Sequence, residues 1–202
     1  NRIQRVKAKM IRIGDILEKV REYNQKADLE LINRAYVFSA KAHAGHVRQS
    51  GEPYLVHPLQ VADILADMKM DVTTIAVGLL HDTVEDTDTT PEELEREFGA
   101  AIRDIVMDVT DDKGLPKAER KQRQIEHAAH ISDKAKLVKL ADKISNLRDM
   151  AVCPPSGWPL ERRQEYFDWA RAVIDRLRGV HPSLEAIFDE AYAQRPQHGD
   201  CE

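Results

Sequence analysis

The sequence predicts an all-α fold in a single domain. Apolar residues recur at helical spacing along most of the chain, for example at Ile13, Ile16, Leu17 and Val20, and this period is typical of amphipathic helices. No run of alternating β-branched residues is long enough to build a sheet. A chain of 202 residues that is 42% hydrophobic and 32% charged is large enough to bury one core.

The predicted helices follow one another with short breaks. After the segment around Ile16, helical periodicity covers residues 29–42, 59–68, 72–84, 91–98, 99–110, 116–129, 133–151, 159–178 and 182–194. Thr90 before Pro91, with Glu93 behind it, is typical of a helix start, as is Ser132 ahead of an apolar run. The breaks contain Gly and Pro or a Pro pair and are too short to be interdomain linkers; they lie at residues 48–58, 111–116 and 153–159.

These segments predict the organisation of the chain. We expect residues 1–24 to form an N-terminal helical extension and residues 25–195 to form the main helical domain. Residues 196–202 are polar and lack periodicity, so a disordered tail is predicted there.

Composition and charge exclude several classes of function. No apolar run approaches the roughly 20 residues that span a bilayer, so no membrane association is expected. The net charge of -5 argues against broad binding of nucleic acid, although a small anionic substrate remains compatible. The two cysteines, Cys153 and Cys201, are too few for a disulfide framework and favour the cytoplasm. The sequence does not indicate an oligomeric state.

Four ionisable side chains that could take part in catalysis or metal binding lie close together in the string LLHDTVEDT at residues 79–87. On a helix, Glu85 lies one turn beyond His81, and Asp86 lies one turn beyond Asp82. Carboxylates crowded in this way repel one another unless a cation compensates, so a divalent metal ion is the economical explanation. The alternative is an acidic, solvated helix start, because the residues that follow are also acidic.

Two further residues could complete a metal site. His57 directly precedes Pro58, which can occupy the first turn of a helix and hold the imidazole in place, although a capping or packing role is the alternative. Asp142 lies in a markedly apolar helix, where a carboxylate is unfavourable unless it is paired or bound to a metal. Lys139 or Lys143 could provide that pairing instead.

His57, His81, Asp82 and Asp142 together form the ordered pattern H…HD…D. Imidazoles combined with carboxylates suit Mn, Fe or Zn better than Ca, which prefers oxygen ligands alone. Such a site leaves positions for water and for a phosphoryl oxygen. The pattern therefore predicts a site for a divalent transition-metal ion.

Specific strings resemble the HD superfamily of phosphohydrolases and, within it, the hydrolase domain of the RelA/SpoT-homologue family. They are RQSGEPYLVHP at residues 48–58, LLHDTVEDT at 79–87 and LVKLADKISNLRDM at 137–150. GWPLERRQEYFDWA at residues 157–170 is similar to the small alarmone hydrolases that stand alone, including the metazoan SpoT-like type. The resemblance covers roughly residues 25–195 and implies an HD-type hydrolase domain there.

The resemblance implies an activity and its machinery. The expected reaction is hydrolysis of the 3′-pyrophosphate of guanosine tetra- or pentaphosphate (ppGpp, pppGpp), which gives GDP or GTP plus pyrophosphate, in the stringent response. The expected cofactor is Mn²⁺, with other divalent transition metals possible. The expected metal ligands are His57, His81, Asp82 and Asp142. Glu85 and Asp86 are expected to orient and deprotonate the attacking water.

The resemblance also implies contacts with the nucleotide. Arg48 matches a family arginine near the guanine base, Asn146 an asparagine beside the nucleotide, and Tyr166 a residue close to it. A basic helix start could hold the phosphates, although a solvated helix face is an equal alternative; it includes Lys113, Lys117, Arg120, Lys121 and Arg123.

Two positions depart from the family pattern, and two rival functions remain. His46 stands where the family often has Gln, and Ser145 stands where His or an aromatic residue is common; both bear on substrate fit. One alternative is another HD-type reaction, such as removal of the 2′-phosphate of NADPH. A second is a nucleotide sensor without catalysis, which the presence of both Glu85 and Asp86 disfavours.

Overall fold

The structure is a computed structural model that describes residues 10–49, 51 and 53–197. Within these residues the regular secondary structure is helical, apart from one isolated antiparallel bridge between Val47 and Pro53, so the predicted all-α class is confirmed. The helices are α1 Ile13–Tyr23, α2 Leu29–Ala42, α3 Val56–Asp67, α4 Val72–Leu80, α5 Thr83–Asp86, α6 Pro91–Phe98, α7 Ala100–Asp108, α8 Lys117–His127, α9 Asp133–Val152, α10 Leu160–Asp175 and α11 Pro182–Tyr192.

Helix α4 lies at the centre of the bundle, with α2, α3, α7 and α9 packed against it. Every residue from Thr74 to Leu80 is buried, which is typical of a helix that is apolar on all sides. Gly78 allows α3 to approach closely, because a Cβ there would lie 2.9 Å from Cδ1 of Leu65. The helix that carries His81 at its end is therefore fixed by the core.

The predicted helix starts at Thr90 and Ser132 are confirmed. The Thr90 side chain accepts a hydrogen bond from the backbone N–H of Glu93, whose carboxylate accepts one from the N–H of Thr90. The Ser132 hydroxyl accepts a hydrogen bond from the N–H of Ala135. Each cap satisfies N–H groups that have no partner within the helix.

The predicted helix over residues 72–84 is wrong in one respect, because α4 ends at Leu80 and the short α5 begins at Thr83. Nδ1 of His81 bonds the Gly78 carbonyl at 2.6 Å, and the Thr83 hydroxyl donates to the Leu80 carbonyl at 2.7 Å. Asp82 has φ -98 and ψ -1, in the bridge region. Side-chain bonds to helical carbonyls thus accompany the break and place the His-Asp pair at a junction.

The predicted N-terminal extension lies partly within the described chain. Helix α1 packs against α2 and α3, and Ile16 and Val20 are fully buried in the common core; the boundary at residue 24 stays a prediction. Residues 1–9 and most of the predicted tail, residues 198–202, lie outside the described residues. None of the described helices has the length and apolarity needed to cross a bilayer.

Candidate metal centre and catalytic cleft

Three segments bring the four predicted metal ligands together. His57 lies in the first turn of α3, one residue before Pro58, so the helix starts earlier than residue 59. His81 and Asp82 form the junction between α4 and α5, and Asp142 lies in the middle of α9. Because α9 packs against both α3 and α4, these side chains meet in one place.

The four side chains converge at the spacing that a metal site requires. Oδ1 of Asp142 lies 2.8 Å from Nε2 of His57 and 3.4 Å from Nε2 of His81. Oδ2 of Asp82 lies 3.2 Å from Nε2 of His81 and 3.7 Å from Nε2 of His57. Neighbouring ligands of an ion with bonds of about 2.1 Å are about 3 Å apart. The donor set therefore fits a transition-metal ion.

The tautomer of His81 supports this fit. Its Nδ1 lies 2.6 Å from the Gly78 carbonyl, which can only accept, so Nδ1 carries a hydrogen. Nε2 is buried and makes no hydrogen bond of normal geometry, although it faces carboxylate oxygens. Burial lowers the pKa of His81, but Asp82 and Asp142 outweigh it and raise this pKa well above the usual value. A proton or a metal ion can satisfy Nε2, and the two compete.

Asp142 also has a lysine partner. Nζ of Lys143 lies 3.4 Å from Oδ2 of Asp142, so the pairing considered for this carboxylate occurs, while Oδ1 faces the two histidines. Burial lowers the pKa of Lys143, but Asp142 more than compensates, so the pKa is raised and the ammonium stays charged. The ion pair with Lys143 therefore uses one oxygen of this carboxylate and leaves the other facing the two histidines.

Glu85 and Asp86 lie beside this cluster on α5, with carboxylate oxygens close to those of Asp82. Oε1 of Glu85 accepts a hydrogen bond of 2.6 Å from the backbone N–H of Asp111. Burial and the negative charges of Asp111, Asp82 and Asp86 raise the pKa of Glu85 to about 7, although the Asp111 N–H opposes the shift. A carboxylate with a pKa near neutrality is suited to general base catalysis.

Asp86 is held by two donors from other parts of the chain. The Tyr54 hydroxyl lies 2.5 Å from Oδ2 of Asp86 and 3.0 Å from Oδ2 of Asp82. Burial, together with these two carboxylates, raises the pKa of Tyr54, so the phenol stays protonated and can donate. The Lys113 ammonium pairs with Asp86. Tyr54 was not among the predicted site residues. The sequence indicated a role there only through its position, three residues before His57.

The four predicted metal ligands line a cleft of about 920 Å³, which is large enough for a nucleotide. The cleft is also lined by acidic residues outside the predicted site, Asp111, Glu161 and Glu165, and by seven basic ones: Arg48, Lys117, Arg120, Lys121, Lys139, Lys143 and Arg162. Burial lowers the pKa of Lys121, and repulsion from Lys117 lowers it further. Such crowding of cations favours an anion, and the predicted phosphate residue Lys113 is not among the lining residues.

Aromatic rings form one wall of the cleft, where the predicted Tyr166 lies between Trp158 and Trp169. The Arg162 guanidinium stacks 3.9 Å from the Trp158 ring centroid, and Nζ of Lys143 lies 4.3 Å from that of Trp169. Such contacts hold cations over flat rings. Trp158 and Arg162 were not among the predicted site residues. The sequence feature that could have indicated them is the GWPLERR string, which leads into α10.

Arg48 and Asn146, the predicted nucleotide contacts, connect directly to the metal cluster. Arg48 bonds Asp149 at 2.5 Å and the Asn146 side-chain oxygen at 3.0 Å. The Asn146 amide in turn donates to Oδ1 of Asp142 at 3.1 Å. The structure therefore brings both residues to the same cleft as the metal ligands.

The HD domain, as a protein family, matches residues 35–168. The chain belongs to the HD-domain family. A relative from Danio rerio, guanosine-3′,5′-bis(diphosphate) 3′-pyrophosphohydrolase MESH1, is 51% identical over 171 residues, which is 83% of this chain and 93% of the relative. The MESH1 protein of Homo sapiens is 49% identical over 162 residues, or 78% of this chain and 90% of that protein.

A solved structure gives the same result for the fold. It is that of a metazoan ortholog of SpoT that hydrolyses ppGpp and plays a role in starvation responses. It is 44% identical, has a TM-score of 0.78, and the match covers 82% of this chain and 95% of that chain. The resemblance to small SpoT-like hydrolases that the sequence suggested is thereby confirmed.

The matched HD segment, residues 35–168, contains every predicted site residue. An HD domain implies a divalent metal ion, and the cluster of His57, His81 and Asp142, with Asp82 beside it, offers suitable ligands. Helix α1 precedes the matched segment and adds to the core rather than to the cleft.

Proposed function

We propose that this chain is a manganese-dependent hydrolase that removes the 3′-pyrophosphate of ppGpp and pppGpp and releases GDP or GTP plus pyrophosphate. The observation that carries the proposal is the convergence of two imidazoles and two aspartates beside Glu85, in a cleft that lysines and arginines also line. Relatives about half identical to the chain act on guanosine-3′,5′-bis(diphosphate), as their names state, which supports the choice of substrate.

In this proposal His57, His81, Asp82 and Asp142 hold the ion. Two imidazole nitrogens and two carboxylates are a ligand set that Mn²⁺ accepts, along with Fe²⁺ and Zn²⁺. When bound, the ion supplies positive charge that polarises a phosphoryl oxygen and makes a nearby water more acidic.

Glu85 accepts the proton of the attacking water. Its pKa of about 7 gives it the ionised form in a useful fraction near neutrality and still allows it to hold the proton. Asp86, fixed by Tyr54 and Lys113, accepts the second hydrogen of that water and so sets its orientation. Lys113 would thus act through Asp86 rather than on a phosphate.

The remaining predicted residues hold the nucleotide. Arg48 and Asn146 are bonded to each other beside Asp142, and Tyr166 belongs to the aromatic wall of the same cleft, where a guanine base and ribose can rest against flat groups. Lys117 and Arg120 line the basic part of the cleft and offer charge to the phosphates. This arrangement separates the phosphate that reacts from those that only bind.

One experiment tests the proposal. Purified protein is stripped of metal, reloaded with Mn²⁺ and incubated with ppGpp, pppGpp or NADPH, and the products are separated by anion-exchange chromatography. We expect GDP or GTP with pyrophosphate. The Asp142→Asn variant should be inactive, whereas Asp88→Asn, which alters an exposed acid, should be active. Phosphate released from NADPH alone would favour the 2′-phosphatase, and binding without turnover would favour the sensor.

The proposed setting is the cytoplasm and a stringent-response type of starvation control. The small number of cysteines supports a reducing compartment, and Cys153 is a free, exposed thiol. The solved metazoan relative plays a role in starvation responses, which supports the proposed setting.

A further inference from the structure

A hydrogen-bonded chain lies behind His57, on the side away from the metal cluster. Oγ of Ser145 lies 3.2 Å from Nδ1 of His57 and 2.9 Å from Oε1 of Gln60. Nε2 of Gln60 faces Oδ1 of Asp149 at 3.5 Å, and the other oxygen of Asp149 bonds Arg48 at 2.5 Å. His57 and Ser145 are each 2% exposed, so water does not compete freely for these bonds.

The direction of each hydrogen bond follows from the fixed end of this chain. The Asp149 carboxylate is paired with Arg48 and can only accept, so the amide nitrogen of Gln60 faces it. The Gln60 oxygen therefore faces Ser145 and accepts its single hydroxyl hydrogen. A serine hydroxyl that donates to Gln60 cannot donate to His57 as well.

Ser145 must therefore accept a hydrogen from Nδ1 of His57. This leaves the lone pair of the neutral imidazole on Nε2, which is the nitrogen that faces Asp142 and Asp82. For His81, the backbone carbonyl of Gly78 accepts the Nδ1 hydrogen instead. Both imidazoles therefore direct Nε2 toward Asp82 and Asp142. The group that accepts the Nδ1 hydrogen is a side chain for His57 and a backbone carbonyl for His81.

We propose that Ser145, oriented by Gln60, is a positioning residue that fixes the tautomer and direction of His57 for metal binding. The inference rests on the proposed metal site and adds to it two residues that do not touch the ion. Groups that accept the second imidazole hydrogen commonly change metal affinity roughly 10–100-fold when removed.

The test compares two buried serines. Ser145→Ala removes the acceptor, whereas Ser39→Ala alters a buried hydroxyl that has no hydrogen-bond partner in the described structure. Titration calorimetry on the metal-free proteins should show that Ser145→Ala raises the Kd for Mn²⁺ roughly tenfold or more, while Ser39→Ala leaves it unchanged. Ser145→Thr, which keeps the hydroxyl, should restore the wild-type affinity.

A kinetic measurement separates positioning from general damage. We expect the Mn²⁺ concentration for half-maximal ppGpp hydrolysis to rise by the same factor in Ser145→Ala, with kcat at saturating Mn²⁺ close to that of the wild type. Wild-type Mn²⁺ affinity in Ser145→Ala, or equal losses in the Ala and Thr variants, would overturn the role of Ser145 and leave the proposed function intact. A wild-type protein that bound no divalent ion would overturn both.

Discussion

Replacing Glu85 by glutamine should make the metal-free protein more stable at pH 8 and change its stability little at pH 5. The carboxyl is largely buried among other acids, and its pKa is raised from 4.5 to about 7. Because the folded-state pKa lies above the unfolded one, the bound proton stabilises the native state fully below pH 4.5, and this contribution is lost as the pH rises to 7. Glutamine cannot lose a proton and can still accept the Asp111 N–H.

The size of the effect follows from the shift. A difference of 2.5 between the two pKa values corresponds to about 3 kcal/mol, since each unit is worth about 1.4 kcal/mol. The variant should therefore gain up to about 3 kcal/mol at pH 8 and less than about 1 kcal/mol at pH 5. A variant that gains this much stability at a proposed catalytic position, and loses activity, is typical of the trade-off between stability and activity in active sites.

Urea unfolding followed by circular dichroism, with a chelator present, measures both values. Glu190→Gln is the matched control, because Glu190 is exposed on α11 and should show no difference between the two pH values. If the stability of Glu85→Gln relative to wild type were the same at pH 5 and pH 8, the raised pKa and the base role inferred from it would both be wrong.

Three further variants test the division of roles in the cleft. Asp82→Ala should abolish both Mn²⁺ binding and turnover, whereas Glu85→Gln should lose turnover and keep the ion. Calorimetry measures Mn²⁺ binding and a product assay measures turnover; equal loss of the metal in both variants would contradict this division of roles. Tyr54→Phe removes the hydroxyl that lies 2.5 Å from Asp86 and 3.0 Å from Asp82 and should lower kcat about tenfold without raising KM. Steady-state kinetics with an unchanged kcat would contradict the orienting role of Asp86. Lys121→Ala should raise the KM for ppGpp about tenfold at unchanged kcat and make this KM less dependent on salt concentration. An unchanged KM would show that the phosphates do not bind at Lys121.

Local patterns were sufficient to predict most of the helices. The capping signals at Thr90 and Ser132 and the apolar periodicity act within one or two turns, so the sequence displays them directly. The break after Leu80 was not visible in this way, since apolar periodicity continues to Val84. It goes with bonds from the His81 and Thr83 side chains to carbonyl oxygens, and such competition with the backbone leaves no mark in the hydrophobic pattern.

The candidate site was predictable where residue type limits the chemistry and not where contacts join distant segments. Two imidazoles and two carboxylates in the order H…HD…D have few other uses together, so four candidate ligands could be named. Tyr54 acquires its role only when it meets Asp86, 32 residues later, and Ser145 only when it meets Gln60, 85 residues earlier. Neither side chain has a chemistry that singles it out before the fold brings its partner near.

The residues that line the cleft bear on how a protein of negative net charge would bind the proposed anionic nucleotide. The net charge of -5 averages over surfaces that the substrate does not meet, whereas the lining of the cleft includes lysines and arginines as well as carboxylates. A bound cation would neutralise the carboxylates of the predicted metal site, which otherwise repel a phosphate. Metal loading would then change the sign of the field that the substrate meets there, so nucleotide binding should depend on the ion even before any bond is broken.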